Sequence, residues 1–186
     1  MRGRTVGPMR VIGGRSRGRR LAAKLPRNVR PTSDRVRESI FDILGSQGGV
    51  EGLSVVDLFC GSGALGVEAL SRGAAAVTFV DLDPDALNAV RQNLTSVGLG
   101  EEPVTLVRAA LPGWLKGPGV PDFGLALCDP PYDFVDWPAL LGALQADVAV
   151  MESGAPIPLT EGWVVMRERR YGGTLVTVAR RSGAGS

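Results

Sequence analysis

Apolar residues in this chain alternate between short continuous runs and longer stretches with a helical period. The runs rich in β-branched residues predict five strands, at 55–58, 76–81, 104–108, 123–128 and 148–151. The periodic stretches predict helices at 32–44, 64–72, 83–97 and 137–146, with a weaker segment at 111–116. Two alternating stretches, 163–170 and 174–180, flank Gly172 and Gly173 and predict a closing hairpin.

This order of elements indicates an α/β fold with a mainly parallel seven-stranded sheet and one antiparallel edge strand. Near the amino terminus, 10–13 and 19–22 predict an N-terminal β-hairpin with arginines at its tip. The alternative for this segment is a solvated basic tail. We therefore divide the chain into 1–30, a basic extension with the hairpin, and 31–186, the main domain.

The stretch V-V-D-L-F-C-G-S-G-A-L-G, at 55–66, predicts a strand, a glycine loop and the start of a helix. Its glycines match G-x-G-x-x-G, and Asp81 follows Gly61 by 20 residues, as in a dinucleotide site. Asp57, however, precedes the glycines and suits a cationic ligand such as S-adenosylmethionine, which carries an ammonium and a sulfonium. Asp57 could instead cap the amides of its own loop.

The second informative site is Asp129-Pro130-Pro131-Tyr132, directly after the strand predicted at 123–128. A carboxylate and a rigid carbonyl can accept both hydrogens of an exocyclic amine, and Tyr132 offers a stacking face for a base. The alternative is a loop that the prolines merely stiffen. Because Asp57, Asp81 and Asp129 all follow or end strands, we expect them at one edge of the sheet.

The composition of the chain excludes several kinds of catalytic and metal site. The chain has no histidine and only two cysteines, Cys60 and Cys128, which excludes histidine catalysis and most zinc sites. We expect both thiols to be free and buried, although a nucleophilic cysteine is an alternative. We expect neither a metal nor a membrane association, and a cytoplasmic location.

Charge is distributed unevenly. Residues 1–37 hold 12 of the 21 basic residues and a single acid, Asp34. Such asymmetry indicates a polyanion at one end of the domain, and arginine suits bidentate phosphate contacts.

Four motifs together resemble the D-type family of bacterial 16S rRNA guanine-N2 methyltransferases. They are R-x-I-x-G-x-x-x-G-R-x-L from Arg10, R-P-T-x-D-R-V-R-E from Arg30, D-x-F-x-G-S-G-A-L-G from Asp57, and D-P-P-Y from Asp129. The resemblance spans about residues 9–181. It implies a Rossmann-like class I methyltransferase fold, S-adenosyl-L-methionine as cofactor, and 16S rRNA in an assembled or partly assembled small subunit as substrate. We expect a monomer.

The resemblance also implies site residues. The catalytic, base-holding residues are Asp129, Pro130 and Tyr132. The cofactor-binding residues are Asp57, Phe59, Gly61, Ser62, Gly63, Asp81, Leu82 and Asp129. Combined with the charge pattern, the expected RNA-binding residues are Arg10, Arg15, Arg17, Arg19, Arg20, Arg30, Thr32, Arg35 and Arg37. Ala109 departs from the family, whose members place Asp or Asn there against adenine.

Three other functions compete. D-P-P-Y also serves an adenine-N6 methyltransferase acting on DNA or RNA. A module that binds S-adenosylmethionine and acts as an rRNA assembly factor needs no catalysis, but Asp129 and Pro130 argue against it. An NAD dehydrogenase ranks last, since no Tyr-Lys or histidine proton donor is evident.

Overall fold

The computed structural model describes residues 9–22 and 33–183. Four α-helices are present in this part of the chain: α1 (Asp34–Gly45), α2 (Ala64–Ser71), α3 (Pro84–Ser96) and α4 (Trp137–Ala143), with a 3₁₀ turn at Gly113–Lys116. The strands are β1 (Ser54–Leu58), β2 (Ala76–Asp81), β3 (Val104–Arg108), β4 (Phe123–Cys128), β5 (Ala146–Ser153), β6 (Trp163–Tyr171) and β7 (Thr174–Arg181).

All seven strands form one sheet in the order β3-β2-β1-β4-β5-β7-β6. Strands β1 to β5 are parallel, and antiparallel pairing is confined to β7, which pairs with β5 and with the edge strand β6. The predicted mainly parallel seven-stranded sheet with an antiparallel edge is confirmed. The strand order reverses between β1 and β4, which makes the carboxyl ends of these strands the expected ligand site.

Helices cover both faces of the sheet. On one face, α1, α2 and α3 pack through residues such as Ile40 and Leu70 against Phe79 of β2 and Val176 of β7, all completely buried. On the other face, α4 and the 3₁₀ turn pack on β4 and β5. Because both faces are covered, the parallel strands are apolar almost throughout, and their polar residues concentrate at strand ends.

The helix caps follow the sequence signals. The Ser33 hydroxyl accepts a hydrogen bond from the backbone N–H of Val36 at 3.3 Å, and Asp83 caps α3 ahead of Pro84. One boundary was wrong. The last predicted helix ends at Ala143 rather than near residue 146, and Leu144 is already extended. Because Leu144 is also fully buried, the apolar pattern continues past the end of the helix and does not mark it.

Candidate active site

Three adjacent strands bring the predicted site residues to one edge of the sheet. Leu58 of β1 is in register with Val80 of β2 and with Cys128 of β4. The residues that follow Leu58, Val80 and Cys128 are Phe59, Asp81 and Asp129, respectively. The structure therefore places both sequence-predicted motifs at the reversal of strand order, where open α/β sheets bind ligands.

The glycine loop is held in place by its neighbours. One carboxylate oxygen of Asp81 accepts the backbone N–H of Gly61, and the other accepts that of Asp83, both at 2.9 Å. The fully buried Asn93 of α3 donates from its side-chain amide to the carbonyl of Ser62 at 2.8 Å. These hydrogen bonds to β2 and α3 hold the glycine loop in position.

The two central glycines of the loop have different roles. Gly61 has φ +51°, and a Cβ built on it would meet no atom within 4 Å, so its backbone is open to a ligand. A Cβ at Gly63 would lie 2.8 Å from Val90 and 3.0 Å from Phe79. Gly63 therefore allows α3 and β2 to pack closely, and the close approach to a ligand falls to Gly61.

Asp57 lies beneath this loop. Its side chain is 1% exposed, and its carboxylate accepts the backbone N–H of Gly66 at 2.9 Å. Burial raises the pKa of Asp57 well above its usual range, the Gly66 hydrogen bond opposes this, and the negative charges of Asp129 and Asp81 add to it. This geometry favours the loop-capping alternative over direct contact of Asp57 with a cofactor.

Beside the loop, a cavity of about 450 Å³ opens around Asp129 and Pro130. Tyr132 lines it with a ring that is 63% exposed, and its hydroxyl lies 3.2 Å from the Thr174 hydroxyl. An exposed aromatic face held at its far end suits stacking of an extruded base.

Among the cavity residues that the sequence did not predict, two bear directly on the site. Phe134 stacks edge-on against Phe59, with ring centroids 5.1 Å apart, and so joins the glycine loop to the cavity. Glu152, near the end of β5, also lines the cavity and is 6% exposed. The sequence did contain a signal for Glu152, because, like Asp57, Asp81 and Asp129, it is an acidic residue at the end of an apolar strand.

The N-terminal segment, residues 9–22, is docked rather than projecting. Arg10 and Arg20 form an antiparallel bridge, and the backbone N–H of Val11 donates to the carbonyl of Arg19 at 3.0 Å, although residues 9–22 contain no regular strand. The buried Glu68 of α2 accepts the backbone N–H groups of Ile12 at 2.8 Å and Gly13 at 2.7 Å. Because Glu68 is 1% exposed, its carboxylate anchors this segment within the protein.

The turn of the N-terminal segment lies far from the glycine loop. Arg15 forms a 2.7 Å ion pair with Glu102, and Arg19 donates to the carbonyl of Val97, also at 2.7 Å. Both partners follow α3, which returns the chain to the amino end of β3. The predicted tip arginines therefore lie at the edge of the sheet opposite Asp129, and two of them already have partners within the protein.

The prediction that Arg37 contacts RNA is wrong. Its side chain is 1% exposed and donates to the carbonyl of Arg10 at 2.6 Å and to Asp34 at 2.9 Å. A buried guanidinium cannot reach RNA. Arg35 is exposed in the first turn of α1, and Arg10, in the N-terminal segment, is exposed beside it, 3.9 Å from Asp34. Arg17 and Arg20 are also exposed in the N-terminal segment, and Arg30 and Thr32 lie outside the described residues.

Both cysteines are free and buried. Burial raises the pKa of each thiol, and neighbouring carboxylates raise it further. Thiolate chemistry is thereby disfavoured, so the apolar interpretation of Cys60 and Cys128 holds. Within residues 9–22 and 33–183, no helix is long and apolar enough to span a membrane, and no group of side chains is suited to a metal ion.

The mixed sheet, the glycine loop after β1 and the D-P-P-Y sequence after β4 define a Rossmann-like methyltransferase. The chain belongs to the family described as conserved hypothetical protein 95, whose model matches residues 9–180.

Known relatives agree with this class. The chain is similar to ribosomal RNA small subunit methyltransferase D of Haemophilus influenzae, with 32% identity over 89% of this chain and 90% of the relative. It is 37% identical to the Escherichia coli K12 protein of the same name over 68% of this chain and 61% of that protein. The solved structure of yhhF from Escherichia coli, described as a candidate methyltransferase, superimposes with a TM-score of 0.80 at 30% identity, covering 94% of this chain and 98% of that one.

Proposed function

We propose that this protein transfers a methyl group from S-adenosyl-L-methionine to the exocyclic N2 of a guanine in 16S rRNA. The observation that carries the proposal is the placement of Asp129, Pro130 and Tyr132 at the end of β4, beside the glycine loop of β1. The names of the Haemophilus and Escherichia relatives support rRNA of the small subunit as the substrate.

The residues at the edge fit this cofactor. Gly61 leaves its backbone open, and Asp81 has further lone pairs for the ribose hydroxyls beyond the two backbone bonds it accepts. Leu82, whose apolar side chain is 62% exposed, provides a surface for the adenine ring. When bound, S-adenosylmethionine supplies an electrophilic methyl group attached to a positively charged sulfur.

The protein's own contribution is to hold and activate the amine. The guanine amine is a poor nucleophile because its lone pair is delocalised into the ring. Asp129 and the carbonyl of Pro130 accept its two hydrogens and so direct the lone pair outward. The carboxylate of Asp129 also offsets the positive charge that develops on nitrogen, and Tyr132 holds the ring by stacking.

The RNA approaches from the side of the α1 first turn. Since α1 leads to the amino end of β1, its first turn points towards the edge that carries Asp129. Arg10 and Arg35 are exposed there, and Arg30 and Thr32 immediately precede it in sequence. The substrate is the assembled or partly assembled small subunit, and the enzyme acts on it as a monomer in the cytoplasm.

A matched pair of variants tests this surface. Arg35→Glu should weaken RNA binding and lower the salt slope by about one phosphate contact. Arg17→Glu makes the same charge change at an equally exposed position near the opposite edge, and should alter RNA affinity less. Filter binding at several salt concentrations measures both. Equal losses would place the RNA on both surfaces.

The reaction is tested by incubating the protein with tritiated S-adenosylmethionine and, separately, small subunits, naked rRNA or DNA. Label in 16S rRNA at guanine N2, found by nucleoside digestion and chromatography, is the expected result. Label on adenine N6 would establish the sibling activity instead. Tight binding to subunits without label in any substrate would indicate an assembly factor.

A further inference from the structure

Glu152 is a buried acid in the wall of the cavity beside Asp129. Its side chain is 6% exposed, and it lies one residue before the end of β5, opposite Val176 of β7. The reaction described above does not use it. A carboxylate so far removed from water requires a compensating partner.

The positive charge of Arg37 contributes to that compensation. Burial lowers the pKa of the Arg37 guanidinium, and the negative charges of Asp34, Glu68 and Glu152 oppose this. Its Nε and Nη1 make no hydrogen bond with the described residues. Cys128 of β4 is in register with Met151 of β5, so the next residues, Asp129 and Glu152, follow at neighbouring positions, and both line the cavity.

The chemistry of the purine edge gives this carboxylate a function. In guanine, the amine to be methylated neighbours N1–H, a hydrogen-bond donor. In adenine, the ring nitrogen beside the exocyclic amine is an acceptor. An ionised carboxylate can only accept, so it attracts the first arrangement and repels the second.

We infer that Glu152 binds the N1–H of the target guanine while Asp129 holds its N2 amine. This inference rests on the proposed function. Glu152 is then a specificity-determining residue.

The test uses 2-aminopurine, which keeps the 2-amino group but has an unprotonated N1 and lacks O6, so the effect of Glu152→Gln on the preference assigns it to N1. RNA segments carrying guanine or 2-aminopurine at the mapped nucleotide are ligated into 16S rRNA, and kcat/KM is compared on reconstituted subunits. The wild-type protein should favour guanine by about ten- to a hundred-fold, the value of one hydrogen bond to a charged group. Glu152→Gln should reduce this preference at least ten-fold, because its amide can donate to the unprotonated N1.

Two controls separate recognition from structure. Asp129→Asn should slow both substrates by the same factor, and Glu161→Gln, at an exposed position, should change neither. If Glu152 had only a structural role, Glu152→Gln would leave the guanine to 2-aminopurine ratio unchanged, which would overturn the inference. So would a wild-type protein that methylates both substrates equally, a result that needs no variant. Absence of guanine methylation by the wild type would instead refute the proposed function.

Discussion

Replacing Asp81 by Asn should weaken cofactor binding through two losses. Each Asp81 oxygen already accepts one backbone N–H, from Gly61 and from Asp83. Asn keeps a single acceptor oxygen, so its amide must face one of these donors, and it removes the negative charge offered to the ribose. One hydrogen bond to a charged group is worth about 1.5–3 kcal/mol. We therefore expect the dissociation constant to rise roughly ten- to a hundred-fold.

Titration calorimetry with S-adenosylhomocysteine, the demethylated product, measures this change. Asp83→Asn is the matched control, because it removes the same charge two residues away. Asn caps a helix as well as Asp does, so α3 should keep its start. Binding by Asp81→Asn within two-fold of the wild type would refute the ribose role. An equal loss in both variants would show that net charge, rather than Asp81 itself, matters.

Three further outcomes are expected. Asp129→Asn should reduce methyl transfer by about a hundred- to a thousand-fold in single-turnover assays while cofactor affinity stays unchanged, and Tyr132→Phe should retain most activity, since the ring still stacks. Glu68→Gln should lower the free energy of unfolding by about 1–3 kcal/mol in urea titrations, because the backbone N–H of either Ile12 or Gly13 loses its acceptor. An unchanged urea midpoint would contradict the anchoring role of Glu68. The free energy of unfolding of Asp57→Asn, relative to that of the wild type, should increase as pH rises above about 4. The raised pKa of Asp57 makes the native wild type bind more protons than the unfolded state, so the wild type loses stability over this range. A constant difference between pH 4 and 8 would argue against a raised pKa.

The sequence predicted the sheet and the glycine loop well because both depend on local pattern. Apolar runs, glycines and acids at strand ends each leave a signature within a few residues. The edge carrying Asp81 and Asp129 followed from strand direction alone, without knowledge of any contact.

The failures concern buried polar residues. Arg37 falls on the stripe of Ile40, Phe41 and Leu44, and its position indicated burial although its charge indicated exposure. Asn93 shares the buried side of α3 with Val90 in the same way. Asp34 compensates Arg37 from within α1, but the Arg10 carbonyl that also accepts from Arg37 lies 27 residues away, and the Ser62 carbonyl that accepts from Asn93 lies 31 residues away. No local pattern reveals such distant partners.

The docking of the N-terminal segment has a consequence for synthesis of the protein on the ribosome. The Ser16 hydroxyl donates to the carbonyl of Val97, 81 residues later, so residues 9–22 must wait for partners that are synthesised after them. At elongation rates of about 5–20 residues per second, that wait lasts roughly 4–16 seconds. Throughout it, Val11 and Leu21 are without their buried sites, and the nearby arginines are without Glu102. Residues 9–22 are therefore synthesised well before the partners that hold them in their native position.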